Sequence, residues 1–334
     1  MFHLIVKVAQ LFVTRNARRT SYLQQPGCRI PFSHQVVSSM PFKLDPFLLS
    51  LLATLGIATV VPCQGAAVPI FKNLAILLIA LMFFLQGARL SRAAVIAGLT
   101  AWRLHLTILA CTFVLFPLLG LAMHALMPGL LLPDVWTGIL FLCCLPSTVQ
   151  SSIAFTSIGR GNVPAAVCAA TASNILGIFI TPVLVGLVLA KQGAQSGGAL
   201  NIVVQLLLPF IAGQILQPWI GGWAKRHKKL LSFSDRGSIL VVVYTAFSEA
   251  IVQGLWHRLP LSQIGTIAVV DSVLLALVLL ITSLGSRALG YSREDEVAIV
   301  FCGSKKTLAS GVPMANVLFP TASVGLVVLP LMLY

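Results

Sequence analysis

The chain has 334 residues, 58% of them hydrophobic and only 9% charged, with a mean hydropathy of +0.98 and a net charge of +14. A soluble domain carries charge on about a quarter of its residues. The composition therefore excludes a soluble enzyme or binding module and reads as an all-α polytopic membrane protein, one bundle in lipid.

Residues 1–43 form a basic N-terminal extension, with Lys7, Arg15, Arg18, Arg19 and Arg29 and no acid before Asp45. It is either a transit peptide, which is basic and acid-poor, or an upstream start over-read in frame. In the second case Met40, opening MPFKLDPFLLSLL, is the true start. Ten apolar spans follow, at 46–62, 71–87, 104–126, 136–158, 163–190, 200–221, 238–256, 263–286, 297–318 and 320–334. A helical crossing needs about 20 residues. The tenth span stops short of that at Tyr334 and reads as truncated.

The spans fall into two sets of five, 44–190 and 200–334, joined by a linker at 191–199. With an odd number of spans per set, any repeat must be inverted in the membrane. Matched interruptions support one. Span four carries Cys144-Leu-Pro-Ser-Thr-Val-Gln-Ser-Ser152 and span nine carries Phe301-Cys-Gly-Ser-Lys-Lys-Thr-Leu-Ala-Ser310. Each precedes a helix with a Thr-Ala-Ser triplet, Thr171–Ser173 or Thr321–Ser323, that later meets Pro182 or Pro330. Paired interrupted spans are the sequence pointer to a transport site.

Pro146 lacks a backbone donor and displaces a carbonyl of the preceding turn; Gly303 loosens span nine. Backbone groups freed in this way cannot be left bare in hydrocarbon. Ser147, Thr148, Gln150, Ser151, Ser152, Ser304, Thr307 and Ser310 are the local side chains able to serve them, a solute or an ion. Lys305 and Lys306 stand in the same interruption, where an ammonium costs at least about 2.5–3.5 kcal/mol. Span seven holds Thr245, Glu249 and Gln253 at helical spacing, a polar stripe that should face the bundle interior or a water-filled cleft. Glu249 is the expected counter-ion of Lys305 or Lys306, either functionally or as a structural ion pair. Asp271, early in span eight, reads as close to an interface.

With the N-terminus in the cytoplasm, Lys72, Lys191 and Arg258 are the basic residues on the far side. Lys305 and Lys306 lie within the membrane, and every other Lys and Arg falls in a cytoplasmic tail or loop. That asymmetry is the positive-inside rule. It places an integral protein in the cell (inner or plasma) membrane with both termini cytoplasmic, and it makes the basic charge a device of orientation, with no nucleic acid as partner. Seven cysteines show no C-x-x-C or Cys/His spacing. No nucleophile elbow, metal-ligand pair or phosphate-binding glycine loop occurs; Gly159–Asn162 reads as a tight turn between spans four and five. No enzyme and no cofactor is expected.

The stretches LPSTVQSSIAFTSIGRGNV, VVYTAFSEA and VFCGSKKTLASGVPMANVLFP resemble the bile acid:sodium symporter family. The likeness is greatest to its SBF-like sub-branch, that of the vertebrate seventh member and related bacterial proteins, and covers about Leu44 to Tyr334. The resemblance implies ten helices in two inverted repeats, with spans four and nine crossing at their broken centres in a core domain. Spans one, two, six and seven would form a panel against which that core moves. It also places Ser151, Ser152, Thr171, Ser173 and the adjoining Asn174 near the family's sodium site. In the sodium-coupled carriers span nine has Glu-Val-Gly-Met-Gln-Asn, whose glutamate and glutamine bind sodium. Through the shared Gly303, those positions are Phe301 and Lys305 here. An acidic ligand is replaced and a cation has arrived, which puts sodium coupling in doubt and leaves Na+ or H+ open as the coupling ion.

The expected function is a secondary transporter moving a small organic, anionic solute by alternating access. The alternatives are a non-transporting membrane regulator of calcium homeostasis and a proton or cation exchanger of the same fold.

Overall fold

The computed structural model describes residues 46–89, 102–190, 199–254, 259–319 and 321–334. The N-terminal extension with Met40, most of the linker, Lys191 and Arg258 lie outside the described residues, as do the side chains of Thr321–Ser323. The described residues are helical, with no strand among them. In chain order the helices are α1 (Pro46–Val60), α2 (Ala67–Arg89), α3 (Trp102–Leu126), α4 (Pro133–Cys144), α5 (Val149–Ile158) and α6 (Val163–Ala190). They continue with α7 (Ala199–Arg226), α8 (Lys228–Val252), α9 (Leu261–Ala288), α10 (Arg293–Ser304), α11 (Leu308–Leu318) and α12 (Thr321–Leu333).

Among the described residues, α2, α3, α6, α8 and α9 are each long and apolar enough to cross a membrane. The pair α4 and α5, bent by 64° at its break, makes a sixth candidate. Large apolar side chains cover the outside, among them Val60, Leu126, Leu187, Trp219, Phe233 and Val269. A soluble protein would bury such a surface; in a bilayer it faces lipid.

Two groups of helices pack together. In the first, α1 and α2 lie on α8, and α2 lies along α7. The α2–α7 contact is a backbone approach: a Cβ on Gly87 would collide with the Phe210 carbonyl, and one on Gly213 with the Phe84 carbonyl. Small residues permit this close packing where no hydrophobic drive exists between helices. Arg89 closes the same corner with an ion pair to Asp235 of α8 (Nη1–Oδ2 2.5 Å). In the second group α4, α5, α6 and α10 surround the broken segments, with α9 along α10 and α12 along α4. Phe141, Leu142, Ile139, Trp136 and Phe301 fill its centre.

Local chemistry sets the ends of these helices. Ser292 caps α10, its Oγ accepting from Asp295 N at 3.2 Å, and Glu294, Asp295 and Glu296 occupy the first turn. Acids there oppose the helix dipole favourably. Glu296 also takes Arg287 (2.7 Å) and Arg293 (2.8 Å). The Gly159–Asn162 turn docks on this end: Asn162 Nδ2 donates to Asp295 Oδ1 at 2.8 Å and Asn162 N to Glu294 O at 2.9 Å. Arg160 takes a positive φ of 55° in that turn, and a Cβ on Gly161 would strike the Val297 side chain.

Candidate functional site

Proline 146 stops α4. Leu145 turns extended (φ −75°, ψ 153°), Thr148 is extended, and the helix resumes at Val149. Five consecutive carbonyls lose their helical donors, and every one has found another. Lys306 Nζ serves Cys143 O (3.0 Å) and Leu145 O (2.7 Å). Thr181 Oγ1 serves Cys144 O (2.9 Å), Thr307 N serves Pro146 O (3.0 Å), and Asn174 Nδ2 serves Ser147 O (2.6 Å). The freed Ser147 N–H donates to Ser173 Oγ at 3.1 Å.

The second break answers the first. Helix α10 ends at Ser304, Lys305 is extended (φ −98°, ψ 143°), and α11 begins at Leu308. Ser147 Oγ donates to Cys302 O (2.6 Å), Ser152 Oγ to Phe301 O (3.2 Å), Thr148 Oγ1 to Lys306 O (2.5 Å), and Tyr334 OH to Ser304 O (2.7 Å). Each broken span therefore supplies donors to the other. Gly177 of α6 lets Pro146 seat, since a Cβ there would lie 2.7 Å from the proline ring.

The third participant is α3. Residues Cys111–Leu115 form a π-helical turn in which Phe116 N–H bonds Cys111 O, five residues back. In that register Thr112 O would need the N–H of residue 117, which is a proline and has none. The orphaned carbonyl accepts from Lys306 Nζ at 2.9 Å. Turns of this kind mark functional sites often. Pro117 was the one sequence signal for it.

The two lysines have different surroundings. Lys306 has three donors and three carbonyl acceptors, and its Nζ sits 4.0 Å from the Phe116 ring centroid. It is saturated. Lys305 Nζ lies 5.1 Å from the Phe155 ring centroid and makes no hydrogen bond among the described residues, although the residue is only 7% exposed. The ion pairs among the described residues are Arg89–Asp235, Arg287–Glu296 and Arg293–Glu296, so neither lysine has a carboxylate partner.

This corrects the expected pairing with Glu249. That residue lines a separate cavity of 510 Å³ with Gln64, Lys72, Thr245 and Gln253, where the loop between α1 and α2 and the start of α2 meet the end of α8. The polar stripe does face a cleft, but a different one. Ser147, Thr148, Ser152, Ser173, Asn174, Ser304, Lys305, Lys306, Thr307 and Ser310 gather at the two breaks, with the Oγ atoms of Ser304 and Ser310 buried and without a hydrogen-bond partner among the described residues. Gln150 is exposed, Ser151 is half-buried, and Thr171 bonds Val167 O of its own helix at 2.7 Å. Asp271, read from its place early in span eight as close to an interface, is fully buried within the bundle. Thr112, Thr181 and Tyr334 join the site without having been anticipated. Thr181 had no signal beyond an apolar run, because its acceptor is 37 positions away.

Ser147→Ala would strand Cys302 O in the interior, at a cost of about 1–3 kcal/mol. Thr171→Ala removes only an outward bond and should stay within about 0.5 kcal/mol. Thermal unfolding of the two purified variants in detergent checks the contrast; equal midpoints would mean the inter-break bonds carry no stability.

The sequence profile of the SBF-like CPA transporter family matches residues 45–334. Uncharacterized protein PA2026 of Pseudomonas aeruginosa is 56% identical over 297 residues, spanning 88% of this chain and 89% of that protein. The symporter-named YfeH of Escherichia coli is 52% identical over 295 residues, spanning 87% and 88%. Sodium/bile acid cotransporter 7 of Rattus norvegicus is 26% identical over 296 residues, spanning 86% and 87%.

Proposed function

The chain belongs to the SBF-like CPA transporter family, and from that premise we propose that it is a secondary transporter moving a small organic anion by alternating access, without sodium. Two inverted units of five spans each, α1–α6 with α4 and α5 as one broken span and α7–α12 with α10 and α11 as another, carry the site where those broken spans meet. The group α1, α2, α7 and α8 is the panel against which the remaining helices move, in a cell membrane with both chain ends cytoplasmic. The observation that carries this reading is the division of labour between the lysines. Lys306 Nζ takes three backbone carbonyls, the kind of oxygen cage a monovalent cation would occupy. Its charge is tethered, so no free cation need fill that place. Lys305 adds a second buried positive charge with no carboxylate partner among the described residues. Buried charges are paired or they are costly; a carboxylate or sulfonate on the solute supplies the missing partner.

The test begins with a thermal-shift screen of the purified protein against organic carboxylates and sulfonates, in sodium and in choline chloride. A hit is then followed as uptake in proteoliposomes. Lys305→Gln should weaken binding of the hit at least about tenfold, the equivalent of 1.4 kcal/mol, for loss of one charge-assisted hydrogen bond. It should not lower the unfolding midpoint, because it removes an unpaired buried charge. Uptake that rises steeply with sodium, or binding indifferent to Lys305→Gln, would overturn the reading.

A further inference from the structure

Asp271 takes no part in the arrangement described above. It lies well inside α9, is 0% exposed, and neither carboxyl oxygen meets a donor among the described residues. An ionised carboxylate held this way is strongly disfavoured, because no donor offsets its lost hydration. An apolar residue would suit the position better, since Ile267, Val270, Leu274 and Leu275 around it are all buried. An unsatisfied buried group of this kind calls for an explanation, and an intramembrane acid is a functional candidate by default.

Its surroundings narrow the ligand. Helix α9 packs against α10, α12 and the Phe116–Leu126 half of α3. The titratable groups within its field are Cys143 of α4 and Tyr334 beyond α12. On α3 the His124 ring is turned to Trp136 at 5.1 Å. On α10 the charged residues Arg293 and Glu296 close on each other and on Arg287 of α9 itself. No ammonium or guanidinium lies within 4.0 Å of Asp271 among the described residues. A metal cation would need several further oxygen ligands. The carbonyls of Cys143, Cys144 and Leu145, on the neighbouring break, are already engaged by Lys306 and Thr181. A proton needs one oxygen only.

We propose that Asp271 is a proton-binding site of this carrier, holding a proton in the closed arrangement seen here and exchanging it with water when the packing around α9 opens. Binding is the simple step of carboxylate plus proton giving the neutral acid, the proton coming from water on the side then open. Any coupling of that proton to solute movement rests on the transporter reading; the site itself does not.

A protonated carboxyl group in apolar surroundings adds to the hydrophobic reagent dicyclohexylcarbodiimide, its proton going to a carbodiimide nitrogen and its oxygen to the central carbon, which distinguishes a held proton from a bound metal cation. The full chain is reconstituted in liposomes, treated at about pH 6 and at about pH 9, and the modified peptides are identified by mass spectrometry. Asp271 should be labelled, at least several-fold more at the lower pH, and equally in sodium and choline chloride. Asp271→Asn should abolish that adduct while keeping the unfolding midpoint at about pH 6, since asparagine copies the neutral acid. Absence of labelling at both pH values would overturn the site, and protection by sodium would replace the proton with a cation. Because labelling requires no solute, its failure is separable from failure of the transport reading.

Discussion

Lys306→Ala is expected to destabilise the protein by at least about 3 kcal/mol and to make its stability depend on sodium. The first effect follows from the acceptors left behind. Thr112 O, Cys143 O and Leu145 O all point at the ammonium from 2.7 to 3.0 Å, and a buried acceptor without a donor costs about 1–3 kcal/mol. Removing the charge relieves its own desolvation, but that term is already offset by three short bonds and the Phe116 ring. The carbonyls cannot re-form helical bonds, because Pro117 and Pro146 hold their backbones out of register.

The second effect follows from the shape of what remains: three converging carbonyls around the volume of one ammonium. Sodium in place of choline should raise the unfolding midpoint of Lys306→Ala and leave the parent protein unmoved. Lys306→Met fills the volume without a charge and should be destabilised in both salts alike. The idea fails if Lys306→Ala unfolds with the parent protein, or if the parent responds to sodium as the variant does.

Gly213→Leu should prevent stable packing of α7 on α2, with a loss of about 3 kcal/mol or no monodisperse protein in detergent. A Cβ at 213 would overlap the Phe84 carbonyl, and the reciprocal position, Gly87, meets the Phe210 carbonyl. Overpacking typically costs about 1–3 kcal/mol where side chains can yield. Here both obstacles are backbone, so the helices must separate along their length. The separation would also strain the Arg89–Asp235 pair at the same corner. Gly186→Ala is the control: nothing lies within 4 Å of a Cβ there, and alanine is the better helix former by about 0.8–1.0 kcal/mol. Its midpoint should stay level or rise. Thermal unfolding and size-exclusion profiles of the two variants read out the difference.

Much of the bundle was legible along the chain because it depends on local physics. A run of apolar residues long enough to cross lipid declares a helix, and among the described residues five helices, with the bent pair α4 and α5 as a sixth candidate, are long and apolar enough to do so. The interruptions at Pro146 and at Gly303–Lys306 fall where α4 and α10 end. Gly159–Asn162 forms the tight turn expected between spans four and five, with Arg160 taking its positive φ. The family was legible too, through stretches that keep their order over most of the chain.

The roles of individual site residues were less legible. Glu249 looked like a partner for the lysines because both are intramembrane charges, yet spacing along one helix gives a face and not its neighbour. The adjacent lysines looked equivalent, and the structure separates them: one is saturated by backbone and the other makes no hydrogen bond among the described residues. Asp271 looked marginal from its distance to the end of a span, and its burial comes from what packs over it.

The sequence by itself determined that this protein lives in a membrane and where two of its helices must break. These follow from hydropathy and the missing N–H of proline, both properties of a residue and its near neighbours. Only the tertiary structure decided how the breaks are satisfied. The donor for Leu145 O is a lysine 161 positions away, and that for Cys302 O a serine 155 positions away. A carbonyl released in lipid must find some partner, but which one it finds is set by the packing that brings distant helices into hydrogen-bond range.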